Sequence, residues 1–224
     1  MATPGPDARD ARARSFGSVA AGYAALRPTY PADAVAFLLG RGGALDVVDV
    51  GAGTGLPAVA TVVGTAEQLP AEDASADAVV AGQAAHWFDP APAARELRRV
   101  LRPGGRVGLV WNTRDERVPW VAALGKRIAD EARGHEADRA VVERFAGELA
   151  ADVEVAESAV VQRVGPEDVV AGIATRSYVP VMDDTRRAEF LGGVRELLAR
   201  HPDTRGRAGL ELPYPTHAYR LIPR

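Results

Sequence analysis

The nine residues Val47–Gly55, VVDVGAGTG, decide the fold that this sequence predicts. Apolar and β-branched positions lead directly into glycines at every second residue, Gly51, Gly53 and Gly55, and Asp49 stands two residues before the first of them. A buried parallel strand that ends in a turn without side chains has this pattern. Ligands bind in the crevice beyond such strand ends in doubly wound α/β sheets, so the pattern also predicts a binding site. A tight strand exit that contacts no ligand is the alternative.

This motif and the segments around it resemble the class I S-adenosylmethionine (SAM)-dependent methyltransferases, in the small-molecule branch called the type 11 methyltransferase domain. The matching segments keep the order of that family: FGSVAAGYAALRPTYP (Phe16–Pro31), VVDVGAGTG (Val47–Gly55), GTAEQLP (Gly64–Pro70), DAVVAGQAAHWFD (Asp77–Asp89), LRRVLRPGG (Leu97–Gly105) and GLVWNTRD (Gly108–Asp115). They cover about residues 15–115, and the C-terminal half matches more loosely, through TRSYV (Thr175–Val179) and ELPYPTHAYR (Glu211–Arg220). The resemblance implies a Rossmann-like doubly wound sheet and methyl transfer to a small molecule.

The same resemblance implies roles for particular residues. SAM is the implied cofactor, and the residues implied to bind it are Asp49, Gly51, Gly53, Gly55, Thr65, Ala66, Glu67 and Gln83. The segment before the motif would fold over the pocket, so Tyr23 and Arg27 are candidates for a lid or for substrate contact, together with Trp87. His86 is the candidate catalytic residue, because a neutral imidazole can take or orient the proton of a methyl acceptor. The alternative for His86 is a packing role beside Trp87 and Phe88.

The stretch after Gly55 departs from the family. The next residues, Leu56–Pro70 (LPAVATVVGTAEQLP), look like the third strand of that fold and the turn after it. The first helix, the second strand and the second helix therefore look missing, which is a loss of roughly 30 to 40 residues. Only eight residues separate Val50 from a strand that starts near Val59, whereas a parallel crossover needs about a dozen or more. We therefore expect a sheet truncated on the side of the second strand and a much reduced affinity for SAM.

Glu67 has two interpretations within this departure. It lies eighteen residues after Asp49, close to where dinucleotide-binding folds place the acid that holds a ribose. It takes that role only if the strand near Val59–Val63 occupies the slot beside the first strand. Otherwise Thr65, Ala66 and Glu67 form the adenine-side turn of the family or a solvated loop.

Composition limits the class of protein. The chain has 224 residues, of which 47% are hydrophobic, so we expect one domain over residues 15–224, with core motifs to residue 115 and C-terminal helices and strands after it. Residues 1–14 read as a disordered leader without the apolar run of a signal peptide. A net charge of -3 and a pI of about 5.9 argue against general binding of nucleic acid. With no stretch of about 18 apolar residues, we expect a cytoplasmic protein with no membrane partner.

The residue inventory also excludes several kinds of site. There are no cysteines, so a disulfide framework, a thiolate metal site and a cysteine nucleophile are excluded. The four histidines are scattered and none has a second ligand type at metal-site spacing, so no metal is predicted. Those histidines are His86, His135, His201 and His217.

Hydrophobic periodicity outlines the secondary structure. It predicts helices that begin at Pro31 and over Pro90–Leu101, Val118–Ile128, Arg139–Leu149, Pro166–Ala174 and Arg186–Leu198. It predicts strands over Leu45–Val50, Asp77–Ala81, Arg106–Trp111 and Ser158–Val164, and an edge strand over Leu210–Leu221, which Pro213 and Pro215 interrupt. An open sheet edge on the truncated side predicts pairing with a partner or a second copy of the chain.

Two other functions fit parts of this pattern. A methyltransferase-like binding protein that has lost its cofactor, a pseudoenzyme, is consistent with the missing segment. An NAD-dependent dehydrogenase is the weaker alternative, because its fingerprint is G-x-G-x-x-G at the start of a well-formed helix, and here the third glycine comes one residue early.

Overall fold

The computed structural model describes residues 26–40, 44–53, 60–128, 135–176 and 178–224. Its elements follow the order α1 (Ala32–Leu39), β1 (Val47–Asp49), β2 (Ala76–Gly82), a 3₁₀ turn (Ala85–Trp87), α2 (Pro90–Val100), β3 (Leu101–Asn112), α3 (Pro119–Arg127), α4 (His135–Leu149), β4 (Ala151–Val164), α5 (Pro166–Ala174), α6 (Asp184–Arg200) and β5 (Leu210–Pro223). The predicted leader, Tyr23 and Gly55 lie outside the described residues.

The strands form one mixed sheet in the order β1-β2-β3-β5-β4. β1, β2 and β3 are parallel, with Asp49 beside Val80 and Val80 beside Gly108. β5 runs antiparallel to β3, from Asn112 opposite Thr216 to Val107 opposite Leu221. Because the three parallel strands end on the same side, the residues that follow β1, β2 and β3 share one rim, which we call the carboxyl edge. The predicted α/β class is confirmed, with the parallel strands on one side of the sheet.

The contacts divide the chain into two units. One comprises Met1–Pro28, Arg114–Ala132 and Val161–Pro213, and in it α6 packs against α3 and α5. The other comprises Thr29–Thr113, Arg133–Val160 and Tyr214–Arg224, and it contains the carboxyl edge. The single domain over residues 15–224 stays a prediction.

The second unit is built around β2 and β3, which are buried on both faces. On one face, α2 and α4 cover the strands with apolar residues at helical spacing, such as Leu97 and Phe145. On the other face, α1 covers them, and a Cβ on Gly108 would lie 3.2 Å from the Cβ of Leu38. Continuous apolar strands such as β2, ADAVVAG, are what burial on both faces requires.

Local chemistry explains where several helices begin. α2, α3 and α5 each start with a proline, at the one helical position where a missing N–H is tolerated. α6 starts after Asp183, whose carboxylate accepts a hydrogen bond from the backbone N–H of Arg186 at 2.8 Å. These are local preferences, so the sequence predicted these helices to within a few residues.

The structure corrects three strand predictions. β5 is not an edge strand, since it lies between β3 and β4. Pro213 and Pro215 are tolerated because they precede the ladder with β3 and contribute only carbonyl oxygens, which accept hydrogen bonds from Asp115 and Thr113. β4 begins at Ala151, seven residues earlier than predicted, and forms the edge itself.

The third correction concerns the segment between β1 and β2. Residues 60–64 form no strand, and the side chains of Val62 and Val63 are 70% and 99% exposed. β1 contains three residues, although Val50 beyond it still donates a hydrogen bond to Val80 at 2.8 Å. Among the described residues between the two strands, the only pairing is an isolated bridge from Thr65 to Gln68.

Within the described ranges, no helix is at once long enough and apolar enough to cross a membrane.

Candidate functional site

The glycine turn after β1 has the geometry that the sequence predicted. Gly51 has a φ of 77°, and a Cβ placed on it would lie 2.7 Å from the Cβ of Ala84, so β1 and β2 approach too closely for a side chain. Gly53 has a φ of 64°, but no described atom lies within 4 Å of its Cβ position. The first glycine is therefore required by packing, whereas no atom in the described part of the chain fills the space beside the second.

Asp49 ends β1 directly before this turn. The residue as a whole remains exposed, but the protein around its carboxyl group removes part of its water and raises its pKa. Its position next to Gly51 at the carboxyl edge is the one that the resemblance implies for a residue near the methionine part of SAM.

Gln83 follows β2 and is held in an uncommon conformation. Its φ of 56° is unusual for a residue with a side chain. Its backbone N–H donates to the carbonyl oxygen of Val110 at 2.9 Å, and its Nε2 donates to the carbonyl oxygen of Asn112 at 2.8 Å. The side chain of Gln83 thus ties the end of β2 to the end of β3.

Asn112 is the centre of a polar network that the sequence did not predict. Its Oδ1 accepts a hydrogen bond from the hydroxyl of Thr216 at 2.6 Å, and its Nδ2 donates to the carbonyl oxygen of Thr29 at 3.3 Å. Asn112 is 8% exposed and Thr216 is fully buried. This network joins the ends of β2, β3 and β5 to the segment before α1, so the inner part of the carboxyl edge is preorganised.

The segment before α1 also contributes Tyr30 to this rim. A Cβ on Gly82 would lie 2.5 Å from the hydroxyl oxygen of Tyr30, so the phenol covers the end of β2. Arg27, three residues earlier, belongs to the other unit of the chain, and its predicted lid role stays a prediction.

His86 and Trp87 lie in the 3₁₀ turn that follows Gln83 and Ala84. Their rings contact each other with centroids 5.0 Å apart, and α4 packs against the same turn. This contact fits the packing role, and the turn that carries His86 begins three residues after β2 ends. Its predicted catalytic role stays a prediction.

The residues predicted on the adenine side form a loop that is fixed to the body of the fold. The backbone N–H of Gln68 donates to the carbonyl oxygen of Thr65 at 3.2 Å, and Ala66 is buried in the core. Glu67 accepts a hydrogen bond from the backbone N–H of Asp89 through Oε1 at 2.9 Å. The carboxylate of Glu67 therefore already has a structural partner at the start of α2.

Arg99 of α2 holds the next part of this loop. Its guanidinium donates to the carbonyl oxygens of Leu69 and Ala71 and to the carboxylates of Asp73 and Glu96, at 2.7 to 3.0 Å. The hydrogen bonds that Glu96 accepts from Arg99 and from the backbone N–H of Leu69 lower the pKa of its carboxyl group to about 2. The loop and α2 enclose an open depression of about 480 Å³, lined by Gln68, Leu69, Pro70, Ala71, Glu72, Glu96 and Arg99.

This depression is a poor candidate for a ligand site, because the Glu96 and Arg99 side chains in its lining are already paired with each other. The described ranges also contain no group of three or more potential metal ligands. The candidate site is therefore the carboxyl edge itself.

Comparisons with known proteins show which family the chain resembles. A family model described as a methyltransferase domain matches residues 50–109, which run from the glycine turn through β3. An uncharacterized methyltransferase of Mycobacterium tuberculosis is 38% identical, and the alignment covers 90% of this chain and 93% of that protein. A methyltransferase-like protein of Schizosaccharomyces pombe is 47% identical over 70 residues, covering 31% of this chain and 27% of that protein.

Solved structures show the same fold. A proposed type II methyltransferase of Anaeromyxobacter dehalogenans has a TM-score of 0.62 at 22% identity, covering 88% of this chain and 97% of that one. A proposed methyltransferase of Anabaena variabilis has a TM-score of 0.56 at 16% identity, covering 84% and 94%. The extent and identity of the mycobacterial match, together with this shared fold, lead to one conclusion: the chain belongs to the methyltransferase family and has the Rossmann-like fold of its class I members.

Proposed function

We propose that this chain is a SAM-dependent methyltransferase that acts on a small molecule. The observation that carries the proposal is the open backbone at Gly53, at the carboxyl edge that Gln83 and His86 also occupy. Ligands of doubly wound sheets bind at this edge. The family membership supplies the type of reaction.

The residues present fit the methionine part of SAM. Asp49, Gly51 and Gly53 would hold that part, because a carboxylate and an exposed glycine backbone suit an amino acid group that carries both charges. SAM would supply a methyl group already activated by its positive sulfonium. The task of the chain is then to align the acceptor and exclude water, and His86 would orient the acceptor or take its proton.

The adenosine part has less support. Glu67 is bonded to the backbone of Asp89, and Val47 on β1 is 40% exposed. The mycobacterial alignment runs over 231 positions but takes in only 90% of this chain, so the relative has residues without a counterpart here. We therefore propose that the affinity for SAM is low. These same observations favour the second candidate, a methyltransferase-like binding protein without cofactor.

Calorimetric titration of the purified chain with SAM, and with NAD as the control ligand, tests the proposal. We expect heat with SAM, a dissociation constant weaker than micromolar, and no heat with NAD. Micromolar binding would contradict the low affinity. The absence of both heat and a thermal shift with SAM would favour the binding protein.

Two glycines provide a matched pair of variants. Gly53 and Gly104 have φ values of 64° and 79°, and neither has a described atom within 4 Å of its Cβ position. Gly104 lies at the start of β3, on the opposite edge of the sheet. Replacement by alanine costs about 1 kcal/mol of backbone strain at either position. We expect Gly53→Ala to weaken SAM binding at least fivefold and Gly104→Ala to leave it unchanged, and equal effects would argue against the site.

A further inference from the structure

Four aromatic residues meet beside the carboxyl edge, and we call them the histidine cluster: Trp111, His135, His217 and Tyr219. Trp111 lies opposite His217 in the pairing of β3 with β5, and Leu109 lies opposite Tyr219, so these side chains share a face of the sheet. His135, the first residue of α4, stacks on His217 with ring centroids 3.8 Å apart. The Tyr219 hydroxyl lies 3.2 Å from Nδ1 of His135.

The cluster contains two buried nitrogen atoms without a hydrogen-bond partner. They are Nε1 of Trp111, a residue only 2% exposed, and Nδ1 of His217, and neither has a partner in the part of the chain that the structure describes. Their neighbours on the same two strands, Asn112 and Thr216, bond to each other. A buried nitrogen without a partner costs free energy, so each of these two calls for a group that bonds to it, and the directly opposite positions of the two residues favour one shared group.

The protonation states define that group. Burial and the neighbouring His135 lower the pKa of His217, against the opposing effect of Glu157, so its imidazole is neutral at pH 7. Burial raises the pKa of Tyr219 to about 12, so it remains a phenol. The charged residues that act on these two rings are Asp138, Arg139 and Glu157. Neither of these two rings therefore offers a positive charge to a phosphate or a carboxylate, and both can bond to a neutral polar group.

A hydroxyl group meets both requirements at once. Its oxygen accepts a hydrogen bond from the indole N–H of Trp111, which is only a donor. Its proton is donated to Nδ1 of His217, which accepts when the proton of that imidazole is on Nε2. The rings of Trp111 and Tyr219, in edge contact at 6.0 Å, favour an aromatic body on the molecule that carries this hydroxyl.

We propose that Trp111 and His217 form the subsite that binds the hydroxyl group of the methyl acceptor, and that the acceptor is an uncharged phenol. The identification of its occupant as the acceptor rests on the proposed function. Trp111 is the penultimate residue of β3, so the subsite lies at the edge where the end of β2 presents Gln83 and His86. His217 would then hold the acceptor hydroxyl, while His86 keeps the role that the proposed function gives it at the same edge.

Nuclear magnetic resonance of the ¹⁵N-labelled full chain tests the subsite, with phenol as the probe and toluene as a probe of similar size without a hydroxyl. We expect phenol to shift the indole N–H resonance of Trp111 in a saturable manner and toluene to leave it in place. Loss of the resonance in Trp111→Phe assigns it, and Trp120→Phe is the matched control that retains it. Equal effects of the two probes, or no effect of phenol because the nitrogens hold only water, would overturn the proposal.

His217→Phe provides the second variant. It keeps a ring that can stack on His135 but removes the acceptor nitrogen, so we expect phenol to bind at least tenfold more weakly and the unfolding temperature not to fall. Unchanged phenol affinity would overturn the proposal.

SAM titration separates the two claims: binding of SAM with no binding of phenol overturns the subsite alone, whereas binding of phenol with no binding of SAM overturns the assignment of its occupant as a methyl acceptor.

Discussion

The two flanks of the carboxyl edge are built very differently. The outer flank consists of the three-residue strand β1 and residues 60–64, where Val47, Val62 and Val63 are 40%, 70% and 99% exposed. The inner flank consists of the ends of β2, β3 and β5, where Asn112 and Thr216 are 8% and 0% exposed and hydrogen-bonded to each other. The carboxyl edge is thus buried and hydrogen-bonded where we place the acceptor, and it is exposed where the fold would hold adenosine.

A glycine motif alone therefore does not define a cofactor site. The motif supplies the turn, but the strand beyond β1 supplies the surface against which a nucleoside lies. In the described part of the chain, β1 is the last strand on its side of the sheet, and no further strand pairs with its free edge. The inner flank keeps its structure because its hydrogen bonds run among β2, β3 and β5 and do not depend on that side of the sheet.

The largest expected effect is at the inner flank. Asn112→Leu leaves the Thr216 hydroxyl and the Thr29 carbonyl oxygen without their partner, so we expect it to lower the free energy of unfolding by about 3 kcal/mol. Urea unfolding measures this change. The double variant with Thr216→Val removes the stranded hydroxyl and should recover part of the loss, and no recovery would show that the network is not the cause.

At the junction of the flanks, Gly51→Ala should cost about 2 kcal/mol. The new Cβ meets Ala84 at 2.7 Å, and the φ of 77° adds backbone strain. Gly53→Ala has the backbone strain but no contact with Ala84. The difference in the free energy of unfolding between the two variants, measured in urea, therefore gives the cost of the contact with Ala84 alone. Equal losses in the two variants would mean that β1 moves away from Ala84 without cost.

The pH dependence of stability tests the anchoring of the loop between the flanks. The pKa of Glu96 is about 2 in the fold against an ordinary 4.5, so this carboxylate stabilises the fold above about pH 4.5, and that contribution is lost as the pH falls from there to about 2. We expect Glu96→Gln to be less stable than the wild type at pH 7 and to differ less from it at pH 3. If the wild type and Glu96→Gln differed in stability by the same amount at both pH values, this role would be contradicted. Glu148→Gln, which removes an exposed carboxyl group on α4, is the control.

The smallest effect is expected at the outer flank. Val63→Ser changes a side chain that is 99% exposed, so the free energy of unfolding should shift by less than about 0.5 kcal/mol. A larger loss in urea unfolding would show that this segment packs against something. Light scattering of the same variant tests the predicted homo-oligomer, since pairing at this flank should weaken when its apolar surface is reduced.

Much of the fold followed from local pattern. The parallel strands β1 to β3, the helices α2 and α5 and the turn at Gly51 were predicted, because periodicity, proline position and glycine spacing act within a few residues. The site was predicted only as a location. Asp49 ends β1, and Gly51, Gly53, Gln83 and His86 lie in the turns after β1 and β2, yet the roles of all five in binding and catalysis stay predictions.

The fold class, the glycine turn and the family follow from contiguous segments of the sequence. The interior place of β5, the bonding of Glu67 to Asp89 and the pairing of Asn112 with Thr216, which lie 104 residues apart, exist only in the folded chain. The opposite positions of Trp111 and His217 likewise result from the pairing of β3 with β5. Contacts between distant residues depend on strand order and register, which local preference does not specify.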